Sequence, residues 1–108
     1  MNIRRVGNAT IAAIPPRIDA STADRVQDAL AALVADGART VLCDFSQNSY
    51  ISSAGLRALL VTAKTLHGVG GKLVLFGVSE YIQEILEIAG FSNIVPIHAD
   101  EEDALRAC

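Results

Sequence analysis

The chain is poor in the residues that build covalent or metal-held scaffolds. Its 108 residues include two cysteines, Cys43 and Cys108, and neither stands in a paired Cys/His spacing. A disulfide framework is thereby excluded and no zinc or other metal site is indicated. Cys43 reads as a core thiol and Cys108 as a terminal one. Long apolar runs are missing too: none approaches the roughly 18 to 20 residues that span a bilayer. Nothing here anchors the chain in a membrane, and the cytosol is the default compartment. Arg4-Arg5 precede the run VGNATIAAIPP, but Asn8 and Thr10 interrupt it and Pro15-Pro16 end it, so it reads as a strand and not as a signal peptide.

Positive charge is also scarce. Nine Lys and Arg against twelve Asp and Glu leave a formal charge of −3, and the cations are scattered. A nucleic-acid surface needs them clustered, so no nucleic-acid partner is expected.

What the chain does have is apolar content, 51% of its residues, enough for one core and one domain spanning residues 1–108. Ile3 to Val6 and Ala9 to Ile14 flank Gly7-Asn8, a dipeptide suited to a two-residue hairpin turn. Arg17-Ile18-Asp19-Ala20 then leads to Ser21 and Thr22, either a suitable N-cap. Val26, Leu30, Leu33 and Val34 follow at helical spacing in a helix that stops near Gly37. Thr40 to Cys43 lacks polar alternation, which suggests a strand buried on both faces of a largely parallel sheet. From Ala54, the residues Leu56, Leu59, Leu60, Ala63 and Leu66 recur at steps of three and four. They predict a long helix lying on the sheet and ending at Gly68, Gly70 and Gly71. Lys72 to Val78 predicts another strand. Ser79 can cap a third helix carrying Ile82, Ile85, Leu86 and Ala89, with Gly90 as its left-handed C-terminal cap. Ile94 to Ile97 predicts a short last strand. Asp100 to Asp103 reads chiefly as a solvated charge run, although four acids opening a final helical turn also complement the helix dipole. Strand and helix alternate after the hairpin, so the expected fold is α/β. It has a mixed, mostly parallel sheet of four to five strands packed by about four helices.

The most informative stretch is Asp44 to Leu56, DFSQNSYISSAGL, where a buried strand ends in hydroxyls and the long helix begins. The first amides of a helix lack intrahelical partners and carry the positive end of its dipole, so the junction favours an anion. Ser52 and Ser53 both lie at the expected N-cap, and the plainest role of either is to accept a hydrogen bond from a first-turn N–H. A nucleotide cradle is disfavoured, because Gly55 is the only glycine where several and a lysine are needed. A nucleophilic serine would need a base, yet the G-x-S-x-G elbow is missing. The only histidines, His67 and His98, lie at a helix end and on a late strand. Asp44 is expected to organise the loop by accepting backbone hydrogen bonds, and turn-forming bonds account for Ser46 and Ser49.

Asp44-Phe45-Ser46 followed by Tyr50-Ile51-Ser52-Ser53-Ala54-Gly55-Leu56 resembles the signature of STAS domains, specifically bacterial anti-sigma factor antagonists. The resemblance extends over almost the whole chain, through the opening hairpin, the Arg17 to Ala20 turn, Gly70-Gly71 and Ala89-Gly90-Phe91. It implies a single STAS domain that is acted upon and is not an enzyme, without cofactor. In that family a serine at the start of the helix is phosphorylated by an anti-sigma factor with a histidine-kinase-like ATP-binding fold, and a PP2C-type phosphatase removes the phosphate. Alignment on Gly55-Leu56 carries that role to Ser53, and a family aspartate beside the site to Asp19. Ser52, Ala54, Gly55, Leu56 and Arg57 complete the implied partner-binding surface, with a monomer expected ahead of an oligomer. Two departures stand out: Ser52 replaces the common Asp before the phosphoserine, and Ala54 the common Ser or Thr after it. STAS domains of transport, lipid-trafficking and secretion-regulating complexes form the alternative class, in which the serine is silent.

Overall fold

The computed structural model describes residues 1–108. Strands β1 (Ile3–Val6) and β2 (Ala9–Ala13) form the hairpin, with Gly7 at φ +61° in its turn. β3 (Arg17–Ile18) precedes helix α1 (Ala23–Ala35), β4 (Thr40–Asp44) and β5 (Tyr50–Ile51). Helix α2 (Ser53–Gly68), β6 (Lys72–Phe76), α3 (Glu80–Ile88), a 3-10 turn (Phe91–Asn93), β7 (Ile97–His98) and α4 (Glu101–Arg106) complete the order. The main sheet runs β1-β2-β4-β6-β7, antiparallel at the hairpin and parallel elsewhere. The expected α/β architecture, with five sheet strands and four helices, is present.

Two layers of apolar side chains sandwich the sheet. On one face Leu30, Leu59, Leu66, Ile82 and Leu86 of the first three helices close over Val41, Cys43 and Leu75. On the other, Ala104 and Leu105 of α4 cover Ile11, Leu42, Val74 and Phe76. Each large side chain fully buried in this way contributes about 1.5 to 3 kcal/mol. The acids from Asp100 to Asp103 are solvent-exposed or half-exposed, as a charge run would be, and they also open α4. The Asp100 carboxylate accepts the Asp103 N–H at 2.9 Å as an N-cap, and Arg4 of β1 pairs with Glu101 across the sheet edge. Three acids in the first turn of α4 face the positive dipole end, and Ala104 is fully buried.

Three boundaries depart from expectation. β6 ends at Phe76, two residues early, because Gly77 takes φ +71°, a position where a Cβ would also come within 3.2 Å of the Ser46 nitrogen. The last strand lies at Ile97–His98 and not at Ile94 to Ile97, since the chain first turns back so that Val95 N–H donates to Phe91 C=O at 2.8 Å. Neither Ser21 nor Thr22 caps α1 through its side chain. Thr22 occupies the N-cap position without a side-chain cap bond, and the Asp19 carboxylate instead accepts the Ser21 and Thr22 N–H groups in the turn that leads into α1.

Candidate functional site

β3 and β5 form a separate two-residue parallel ribbon, pairing Arg17 with Tyr50 and Ile18 with Ile51. The ribbon brings the Asp19 turn and the start of α2 together. Beyond it the Ser52 N–H donates to the Ile18 C=O at 2.8 Å, and the Ser49 N–H donates to the Pro16 C=O at 2.9 Å. The Arg17 guanidinium stacks over the Tyr50 ring, 4.3 Å from its centroid, and its Nε lies 4.0 Å from Asp19 Oδ2.

Asn48 ties the same loops from beneath. It is buried, its Nδ2 donates to the Pro15 C=O at 2.9 Å and the Tyr50 C=O at 3.1 Å, and its Oδ1 has no partner. Asn48 was not singled out from the sequence, because within SQNS no pattern separates it from three exposed or half-exposed neighbours. Asp44 accepts the Ser46 N–H at 2.8 Å, and Ser49 Oγ lies 3.4 Å from the Pro16 C=O.

The two serines differ in what they do. Ser52 is the N-cap, with extended backbone (φ −89°, ψ 173°), and its Oγ accepts the Gly55 N–H at 3.1 Å. Its carbonyl accepts the Leu56 N–H at 2.9 Å. Ser53, the first helical residue, is exposed, and its hydroxyl makes no intramolecular hydrogen bond. The Ser53 and Ala54 N–H groups, the first two of α2, have no acceptor within the protein. An exposed hydroxyl thus stands beside two free amides at the positive end of a sixteen-residue helix.

Gly55 explains how α2 comes so close to the ribbon. A Cβ there would lie 2.7 Å from Ile18 Cγ2 and 2.7 Å from Ile51 Cγ1, so only glycine fits. The face of α2 turned to the protein is Gly55, Ala58, Leu59, Thr62 and Leu66, while Leu56, Leu60 and Ala63 are half-buried. The expected stripe of Leu56, Leu59, Leu60, Ala63 and Leu66 packs on the core, and the fully buried face extends beyond it to Gly55, Ala58 and Thr62. Thr62 satisfies its buried hydroxyl by donating to the Ala58 C=O at 2.8 Å. Arg57 is exposed, forms no ion pair, and lies four residues after Ser53, on the same helical face.

Asp19 has a lowered titration. Hydrogen bonding from the Ser21 hydroxyl at 2.6 Å, with further bonds from the Ser21 and Thr22 amides and the Thr22 hydroxyl, holds its carboxyl below the usual aspartate range. His67 and His98 are remote in the fold from Ser52 and Ser53: the first sits in the last turn of α2, the second on β7. No group of three or more His, Cys, Asp or Glu side chains converges as a metal site, and no helix is long and apolar enough to cross a membrane.

A family model described as the STAS domain matches residues 1–104. BtrV of Bordetella bronchiseptica, which bears the name of an anti-sigma factor antagonist, is 36% identical over 107 residues, 99% of this chain and 92% of its own. An anti-sigma factor antagonist from Mycobacterium paratuberculosis superposes with a TM-score of 0.90 at 23% identity, over 98% of this chain and 90% of its own. SpoIIAA superposes with TM-scores of 0.76 in its unphosphorylated form and 0.75 in the phosphorylated form from Bacillus, at 18% and 17% identity. These comparisons cover 98% and 99% of this chain and 94% and 98% of the SpoIIAA chains. The signature around Ser53, the ribbon beneath it and the match across residues 1–104 agree: the chain belongs to the STAS domain family.

Proposed function

We propose that the chain is an anti-sigma factor antagonist switched by phosphorylation of Ser53. The observation that supports this reading is the division of labour between the two serines. Ser52 spends its oxygen on the Gly55 amide, whereas the Ser53 hydroxyl is exposed and without an intramolecular partner. The name borne by BtrV supports the same assignment of role. A phosphoryl group at Ser53 adds roughly −1.5 to −2 charges and three acceptor oxygens. It would meet the unpartnered Ser53 and Ala54 amides, the dipole of α2, and Arg57 one turn on. The modified helix is stabilised and does not melt, in keeping with SpoIIAA, whose two forms superpose on this chain almost equally well.

The switch therefore acts at the docking surface. Asp19, Ser52, Ala54, Gly55, Leu56 and Arg57 form the rim that an anti-sigma factor would cover, with Asp44, Ser46 and Ser49 shaping the loop behind it. A dianion within that footprint cannot be desolvated unless the partner supplies a cation. A penalty of about 3 to 4 kcal/mol weakens binding a few hundredfold. The unmodified form binds a serine-kinase anti-sigma factor with a histidine-kinase-like ATP-binding fold and releases its sigma factor or equivalent target. Phosphorylation by that partner ends the complex, and a PP2C-type phosphatase restores it. The protein is the substrate in both steps and works in the cytoplasm as a monomer.

Because Ser52 replaces the common aspartate, the unmodified rim carries one carboxylate fewer, and the competing hydroxyl is engaged as a cap. Intact-mass analysis after incubation with ATP and the cognate kinase, followed by peptide mapping, tests the assignment. One phosphate on Ser53 is expected. Phosphate on Ser52, or none with any cognate kinase, would refute it.

A further inference from the structure

Behind the rim lies one buried polar side chain whose bonds the core packing alone does not require. Asn48 is 5% exposed, and its own N–H donates to the Phe45 C=O at 3.0 Å, while the buried Phe45 is fixed in turn by its N–H to the Phe76 C=O at 2.9 Å. From this base Nδ2 donates to carbonyls of two different loops, those of Pro15 and Tyr50. Both partners can only accept, so the amide has a single orientation and Oδ1 is left buried without a donor.

For stability alone an apolar side chain of the same size would serve, and it would leave no acceptor desolvated. What it could not do is fix a distance between two loops, which directional bonds from one rigid group can. Pro15 leads through the conformationally restricted Pro16 into β3 and the Asp19 turn, and Tyr50 opens β5, which enters α2 through Ser52 and Ser53. The other side-chain bond between these loops, from Ser49 Oγ to the Pro16 C=O, is exposed and 3.4 Å long.

We infer that Asn48 is the positioning residue of the docking rim: it sets where the Asp19 turn stands relative to Ser53, and thereby how well a partner engages both at once. The inference rests on the reading of Ser53 as the switch. The Ser53 hydroxyl itself rides on the first turn of α2, which the Ser52 cap and the close approach at Gly55 hold without help from Asn48. Loss of Asn48 therefore weakens recognition and leaves phosphoryl transfer to a bound Ser53 intact.

Asn48→Leu keeps the side-chain volume and removes both bonds. In the full chain, amide hydrogen exchange is expected to quicken at Ser49 and Ser52, whose N–H groups cross between the loops, at least tenfold more than at Leu42 in the sheet. The KM of this variant as substrate of the cognate kinase-type anti-sigma factor should rise at least tenfold, with kcat within threefold of the parent. Val74→Ala, which opens a cavity on the α4 side of the sheet, controls for lost stability and should move neither constant more than threefold. Asn48→Ala carries the same test if Asn48→Leu does not fold. Exchange that rises no more at Ser49 and Ser52 than at Leu42, an unchanged KM, a loss confined to kcat, or an equal rise in KM for Val74→Ala would overturn the inference. A parent chain that no cognate kinase phosphorylates at Ser53 would refute the switch and the recognition role with it, an outcome distinct from a phosphorylated parent whose Asn48 variants match it.

Discussion

A methyl group on Gly55 would stand 2.7 Å from Cγ2 of Ile18, so the bare Cα of Gly55 is what lets the first turn of α2 lie against the β3–β5 ribbon. Cγ2 of a β-branched residue cannot swing aside as the end of a flexible chain can. Gly55→Ala is therefore expected to destabilise the fold by about 1 to 3 kcal/mol in urea unfolding. Gly68→Ala, at a helix position where a Cβ meets nothing within 4 Å, should be neutral or stabilising by up to about 1 kcal/mol. Equal effects would show that helix propensity, not close approach, explains Gly55.

The two serines separate in stability as well. Ser52→Ala removes the oxygen that accepts the Gly55 N–H and should cost about 0.5 to 2 kcal/mol. Ser53→Ala removes no intramolecular bond and should stay within about 0.5 kcal/mol of the parent. Thermal or urea unfolding of the pair distinguishes them, and the reverse order would mean that the cap is misassigned.

The Asp19 turn makes a prediction at acid pH. Bonds from Ser21 and Thr22 lower the carboxyl pKa in the folded state, so the folded chain binds its proton less readily than the unfolded chain. The contribution is present above the ordinary aspartate range and is lost as pH falls through the lower folded value. A side-chain NMR titration should place Asp19 below the ordinary aspartate range, and Asp19→Asn should flatten the acid limb of the stability profile.

Much of this arrangement was legible in the sequence and some was not, for reasons that lie in particular residues. Long periodic segments carry redundant signal, which is why α1, the hairpin and the Ser79-capped α3 were readable. β3 and β5 have two residues each, too few to show a period, and exist through pairing with one another. The α2 stripe was legible in its leucines, but hydropathy gives no weight to Gly55, Ala58 and Thr62, which close approach also buries. Asp19 displaced Ser21 and Thr22 as organiser of α1 because its carboxylate accepts from both at once. Gly77 continues the apolar run Lys72 to Val78 in sequence, and its positive φ and its closeness to Ser46, far away in sequence, leave no local signal.

Cys43 and Cys108 should differ sharply in reactivity. Burial, with a smaller contribution from the neighbouring Asp44 charge, pushes the Cys43 thiol up to about 12, and Cys108 is exposed. A thiol reagent at pH 8 should modify one cysteine per folded chain and both after denaturation. The raised folded value means that the unfolded chain loses its proton first. The Cys43 contribution is full below its ordinary value of 9.0 and declines as pH rises from there through about 12. Cys43→Ala should flatten that alkaline decline while costing packing energy throughout.

The affinity of the cognate kinase-type partner for the Ser53-phosphorylated chain, set beside that of the unmodified chain, bears most directly on the switch. A phosphoryl group docked on the free amides of α2 and carried into the interface predicts binding weakened a few hundredfold, with the folded amide spectrum retained. Equal affinity for the two forms, or a loss of affinity accompanied by unfolding of α2, would contradict it.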